Sequence, residues 1–64
     1  MKINNREINT MEEAYDYLLI VLYYEPYNAY YNEDTDDIDV YSVHDDRSWT
    51  LKNLQDVANF IWYL

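Results

Sequence analysis

Asn32, Asp34 and Asp36 stand at the first, third and fifth positions of a calcium loop, the spacing at which alternating oxygens converge on one cation. The sixth position needs a glycine for the sharp bend and holds Asp37, and the last needs a bidentate glutamate and holds Val43. A specific calcium site is therefore not expected. Glu12 and Asp16 lie one helical turn apart, but a di-metal helix site also needs histidines, and the chain has one. That residue, His44, sits two positions from Ser42 and beside Asp45, the residue types of a nucleophilic relay. The relay also needs an oxyanion hole, and the glycine-rich turns that usually build one are missing from a chain without glycine. Carboxylates are numerous enough for glycosidic chemistry, yet acids this clustered lack the apolar pocket that would separate two pKa values. The chain reads as a non-enzyme with no catalytic residue, no metal and no cofactor.

The carboxylates have a different message. From Tyr30 to Asp46 (YYNEDTDDIDVYSVHDD) there are seven acids and no lysine or arginine, and from Glu7 to Asp46 there are twelve acids and no base. The net charge is −9 on 64 residues. Bare nucleic acid and anionic lipid are both held by cationic side chains, so neither is an expected ligand. A partner chosen by charge is basic. An acidic hairpin could also serve only to keep a tyrosine-rich domain soluble, but solubility does not require every base to be excluded across so long a segment.

What positions these acids must be one small domain, residues 1–64, near the lower size at which a chain buries enough apolar surface to fold unaided. Half of the residues are hydrophobic and nine are tyrosines, unlike a disordered acidic tail. The lack of cysteine points to a reducing, cytoplasmic compartment. The polar start MKINNREINT argues against a signal peptide. The longest apolar run, Tyr17 to Tyr24, has eight residues, against the roughly 20 that span a bilayer.

Residues 2–8 place isoleucines either side of Asn4 and Asn5, a pair suited to a two-residue hairpin turn, although a single edge strand fits the same short stretch. Thr10 and Glu13 form a capping box, with the glutamate expected to reach back to the Thr10 amide. The helix that follows carries Met11, Ala14, Tyr15, Leu18 and Leu22 at helical spacing and must stop before Pro26. From Tyr17 it is apolar nearly all round, so a second face needs another helix, a loop or another molecule. Tyr27–Asn32 and Ile38–His44 read as strands joined by the turn EDTDD, with Ile38, Val40 and Ser42 on one face and Asp39, Tyr41 and Val43 on the other. A second helix is expected from Leu51, capped by Thr50 or Ser48, with Leu54, Val57, Ala58 and Ile61 inward. The expected fold is α+β: a small antiparallel sheet of two to four strands with two helices packed on one face, in the order β-α-β-β-α.

Tyr15, Tyr23, Phe60 and Trp62 are expected in the core. Tyr23, Tyr24, Tyr27, Tyr30 and Tyr31 crowd around Pro26, more phenols than a small core can satisfy, so some must be exposed. Residues two apart on a strand stand about 6.6 Å apart, a spacing broadly comparable to that of successive phosphates on a nucleic-acid strand. Glu33, Asp34, Asp36, Asp37, Asp39, Asp45 and Asp46, helped by Tyr30, Tyr31 and Tyr41, are therefore the candidate partner-binding residues. Mutual repulsion is expected to raise the pKa values of these clustered acids and to make the fold more stable as pH falls from neutrality.

In size, acidity and α+β pattern the whole chain resembles the small, acidic, phage-encoded inhibitors of host defence, including anti-CRISPR proteins and the DNA-mimicking inhibitors of uracil-DNA glycosylase. The resemblance involves no motif, so it assigns no residue a role. It implies an inhibitor, acting in the cytoplasm of a bacterial host, that occupies the nucleic-acid-binding site of a nuclease, effector complex or repair enzyme. Two other classes fit the same chain: an antitoxin or immunity-type protein that neutralises a small basic toxin, and a homo-oligomeric structural protein built on the apolar helix. A homodimer is compatible with each.

Overall fold

Asn4 and Asn5 both adopt left-handed backbone, with φ of 52° and 67°. Positive φ at both central residues is what a two-residue hairpin turn requires, and asparagine is among the few non-glycine residues that tolerate it. The computed structural model, which describes residues 1–64, accordingly opens on a hairpin of β1 (Lys2–Ile3) and β2 (Arg6–Glu7), paired Lys2 to Glu7 and Ile3 to Arg6. Its single-strand alternative is excluded. The terminal ammonium of Met1 donates to Glu7 Oε2 at 2.6 Å, and Ile3 and Ile8 anchor the hairpin in the core.

Thr10 caps α1 (Met11–Val21), its hydroxyl accepting from the Glu13 amide at 3.1 Å. The reciprocal bond differs from expectation by one residue: Glu13 Oε1 accepts from the Asn9 amide at 3.3 Å and from the Thr10 hydroxyl at 3.2 Å. Met11, Ala14, Leu18 and Leu22 are buried at intervals of three and four, so one stripe of the helix faces inward. Leu19 and Ile20 on the other side remain exposed.

Three strands follow, not two. β3 (Tyr27–Asn32), β4 (Asp37–Ser42) and β5 (Ser48–Leu51) form an antiparallel meander with β4 in the centre. In register, Val40 lies between Ala29 and Trp49, and Ile38 between Tyr31 and Leu51. These residues are buried or half-buried. The alternate rows, Asn28–Tyr41–Ser48, Tyr30–Asp39–Thr50 and Asn32–Asp37, lie on the opposite side. The second strand thus ends at Ser42, leaving Val43 and His44 in the β4–β5 loop.

Helix α2 (Leu54–Tyr63) starts three residues later than its apolar pattern suggested. Ser48 and Thr50 are strand residues, and the cap is Asn53, whose Oδ1 accepts from the Asp56 amide at 2.8 Å while Asp56 Oδ2 accepts from the Lys52 amide at 2.9 Å. This reciprocal pair satisfies amides at the helix entrance that would otherwise lack partners. The element order is therefore β-β-α-β-β-β-α, which corrects the expected β-α-β-β-α while keeping the α+β class.

Residues of α1 and α2, the hairpin's Ile3, Ile8 and the inner sheet positions share one core in which Ile38, Val40, Leu18 and Val57 are fully enclosed. Phe60 and, partly, Tyr15 belong to it, but Tyr23 and Trp62 are exposed, contrary to the reading that made them core. Trp49 and Tyr27 pack there instead, edge-on at 5.6 Å and both against Phe60. The molecule is thin, 31 × 27 × 16 Å. No helix is long and apolar enough to cross a membrane.

Candidate binding surface

The outer face of the β3–β4–β5 sheet carries the residues singled out by composition. Along β4, Asp37, Asp39 and Tyr41 alternate with the buried Ile38 and Val40, so strand periodicity alone sends all three outward. Tyr30 on β3 stands opposite Asp39, and its ring meets that of Tyr41 edge-on with centroids 5.9 Å apart. On the other flank the Thr50 hydroxyl donates to Asp39 Oδ1 at 3.1 Å, fixing the carboxylate across the strand pair. Both tyrosines are exposed. Two carboxylates and two aromatic rings thus share one surface bordered by Asn28, Asn32, Ser48 and Thr50.

A meander puts its two connections at opposite ends of the central strand. Glu33, Asp34 and Asp36 occupy the β3–β4 turn and Asp45 and Asp46 the β4–β5 loop, so the acids form a line across the sheet and not one knot. In the turn, Asn32 Oδ1 accepts from the Asp34 amide at 3.0 Å, and Asp36 takes φ of 56° to close the reversal. Nowhere do three His, Asp or Glu side chains gather as a metal would require.

Tyr31 is on the inner side of β3, not beside Tyr30. Its half-buried ring stacks on Tyr15 at 5.9 Å, and its hydroxyl donates to Asp36 Oδ1 at 2.6 Å. That bond to a carboxylate, with burial and the charges of Asp36, Glu12 and Glu33, pushes the phenol pKa up to about 12. Among the candidate residues it holds the turn; it does not extend the surface.

Asp45 also departs from expectation. It accepts from the Arg47 amide and from Arg47 Nε, each at 3.0 Å. These bonds, the backbone one foremost, hold its carboxyl below the usual range, opposite to the rise expected from repulsion. Arg47 itself donates to the Tyr63 hydroxyl at 2.9 Å, which with Asp45 favours its charged form. The loop end of the acidic line is therefore partly neutralised, and the turn end is not. Ser42 and His44 meet through the His44 amide, which donates to Ser42 Oγ at 3.3 Å and so orients the loop.

Two further features were missed in the sequence. β5 completes the outer face, and its alternation Ser48, Trp49, Thr50, Leu51 was the available sign of a strand. Behind it, a cleft of about 350 Å³ opens between β5 and α2. A separate apolar patch, anticipated from the all-round hydrophobicity of α1, consists of Leu19, Ile20, Tyr23 and Tyr24, the last 92% exposed.

Comparison of the chain with protein-family models, with curated proteins and with solved structures finds no match.

Proposed function

We propose that this protein is a non-enzymatic inhibitor that lays the outer face of its sheet into the basic nucleic-acid-binding site of a bacterial defence or DNA-processing protein. The observation that carries the reading is the meeting of Asp37 and Asp39 with Tyr30 and Tyr41 on one uncovered face, prolonged by the acids of the β3–β4 turn. In this reading both helices back the inner face and leave the outer one free. Carboxylates at strand spacing offer a cationic groove the charge pattern it ordinarily takes from phosphates. Attraction over distance speeds encounter, and burial of the two rings slows release.

The test begins with capture of partners from a bacterial lysate on the tagged protein at low salt, elution by a salt step, and measurement of whether the captured protein still binds its DNA or RNA. Loss of nucleic-acid binding, restored when Asp36, Asp37 and Asp39 are together changed to Asn, is the expected result. A captured nucleic-acid enzyme that binds its substrate normally in the complex, or inhibition unaffected by the triple change, overturns the reading. Recovery of a small basic toxin instead moves the protein to the antitoxin class.

The exposed Leu19, Ile20, Tyr23 and Tyr24 favour a second reading, self-association through α1. Light scattering across a concentration series tests it: a mass that stays at 7.9 kDa removes it.

A further inference from the structure

The cleft between β5 and α2 has walls of unusual chemistry for an acidic protein's surface. Trp49, Phe60 and Tyr63 bring three aromatic rings together, with centroids 5.1 Å apart for Trp49–Phe60 and 6.1 Å for Trp49–Tyr63. Leu51 adds an apolar floor, and Asp56 and Asn59 from α2 supply polar groups at its wall. At about 350 Å³ the space admits a side chain or a small molecule. Asp56 uses Oδ2 on the Lys52 amide, while Oδ1 receives none of the chain's hydrogen bonds. Aromatic faces beside a carboxylate attract an organic cation, through the ring quadrupole on one side and charge on the other.

The chain itself shows which cation suits these rings. The Arg47 guanidinium carbon lies 5.5 Å from the centroid of Trp49, and Arg47 donates to the Tyr63 hydroxyl at 2.9 Å. Its charge is answered by Asp45 at 3.0 Å, so it is not left to repel a second cation. One residue is common to the cleft and the outer face: Thr50, on the edge strand β5, lines the cleft and bonds Asp39 across the sheet. A partner seated on that face reaches the cleft around the β5 edge.

We propose that this cleft binds an arginine side chain of the partner, the guanidinium resting on Trp49 and Tyr63 above the buried Phe60 and hydrogen-bonding to Asp56. For the source of the arginine the inference rests on the inhibitor reading; for the chemistry of the cleft it does not. Guanidinium is preferred over ammonium because its planar fork stacks on rings and bonds a carboxylate at once.

The test is a titration of the intact protein with N-acetyl-arginine amide, read by NMR at the indole N–H of Trp49, which a Trp62→Phe variant distinguishes from that of Trp62. The neutral isostere N-acetyl-citrulline amide is the control. A saturable shift with the arginine probe, absent with citrulline, is expected. Asp56→Asn, which keeps an oxygen for the Lys52 amide, should weaken the arginine response by about fivefold, and Tyr63→Leu, at an exposed helix end, should weaken it too. No saturable shift, equal shifts from both probes, or a response unchanged in both variants overturns the proposal. The Asp36, Asp37, Asp39 triple variant should titrate like the parent protein, so failure of the inhibitor reading and failure of the cleft are seen separately.

Discussion

Tyr31 is a candidate binding residue that the structure sets on the inner side of β3, against Tyr15. Its place among the candidates rested on the crowding of five tyrosines around Pro26, some of which must be exposed; adjacent strand residues point to opposite faces, and the bond that defines Tyr31 goes to Asp36 at 2.6 Å. The bond needs the phenol proton. Since the folded-state pKa, about 12, lies above the ordinary 10.0, folding binds that proton more tightly. The stabilisation is fully present below pH 10 and is lost as pH rises through about 12. Melting temperatures of the parent and of Tyr31→Phe, compared across that window, should converge as pH rises; a difference that stays constant would mean the hydroxyl contributes nothing through its proton. Asp45 carries the opposite sign: its depressed pKa gives stability that is present above its ordinary 3.8 and lost as pH falls through the folded value.

At the scale of elements, α2 separates what periodicity reveals from what it hides. Val57, Ala58 and Ile61 were legible as an inner face because burial repeats with the helical period. The start was not, because Ser48, Thr50 and Asn53 are all good cap residues and only the tertiary context decides among them. Asn53→Ala should therefore destabilise the protein by about 1 kcal/mol in urea denaturation, whereas Ser48→Ala should leave stability nearly unchanged. A reversed order would return the helix start to Ser48. The missing third strand has the same origin: four residues are too short for alternation to outweigh a neighbouring helix pattern. By contrast, the Thr10 cap and the β3 span were legible because each rests on local residue types, and at Asn4–Asn5 the turn chemistry was legible while the choice between a hairpin and a single edge strand was left to the structure. Of the candidate surface, Asp39 and Tyr41 were assigned by strand period alone and Asp37, read as the last residue of the turn, proves to be the first of β4, while the contribution of β5 and the aromatic cleft depend on pairing across the sheet, which no local pattern encodes.

For the molecule as a whole, charge opposes both folding and crowding. Thirteen acids face four bases, and the ion pairs are two, Met1 with Glu7 and Arg47 with Asp45. Most of the net −9 is therefore uncompensated, and self-repulsion should be relieved by screening. Raising sodium chloride from about 0.02 M to about 0.5 M, where the Debye length falls to a few Å, should raise the melting temperature. The same salt should weaken the proposed complex, so the two responses must have opposite signs. A fold indifferent to salt would mean that the carboxylates are already balanced by bound cations.

Three residues, Asn4, Asn5 and Asp36, hold left-handed backbone in a chain that has no glycine. Each accepts some native strain that glycine would relieve. What the protein gains lies outside the native structure: without glycine, the denatured ensemble has fewer backbone conformations, and folding has less disorder to remove. In a domain of 64 residues with no disulfide, part of the stability therefore resides in how little freedom the unfolded chain possesses.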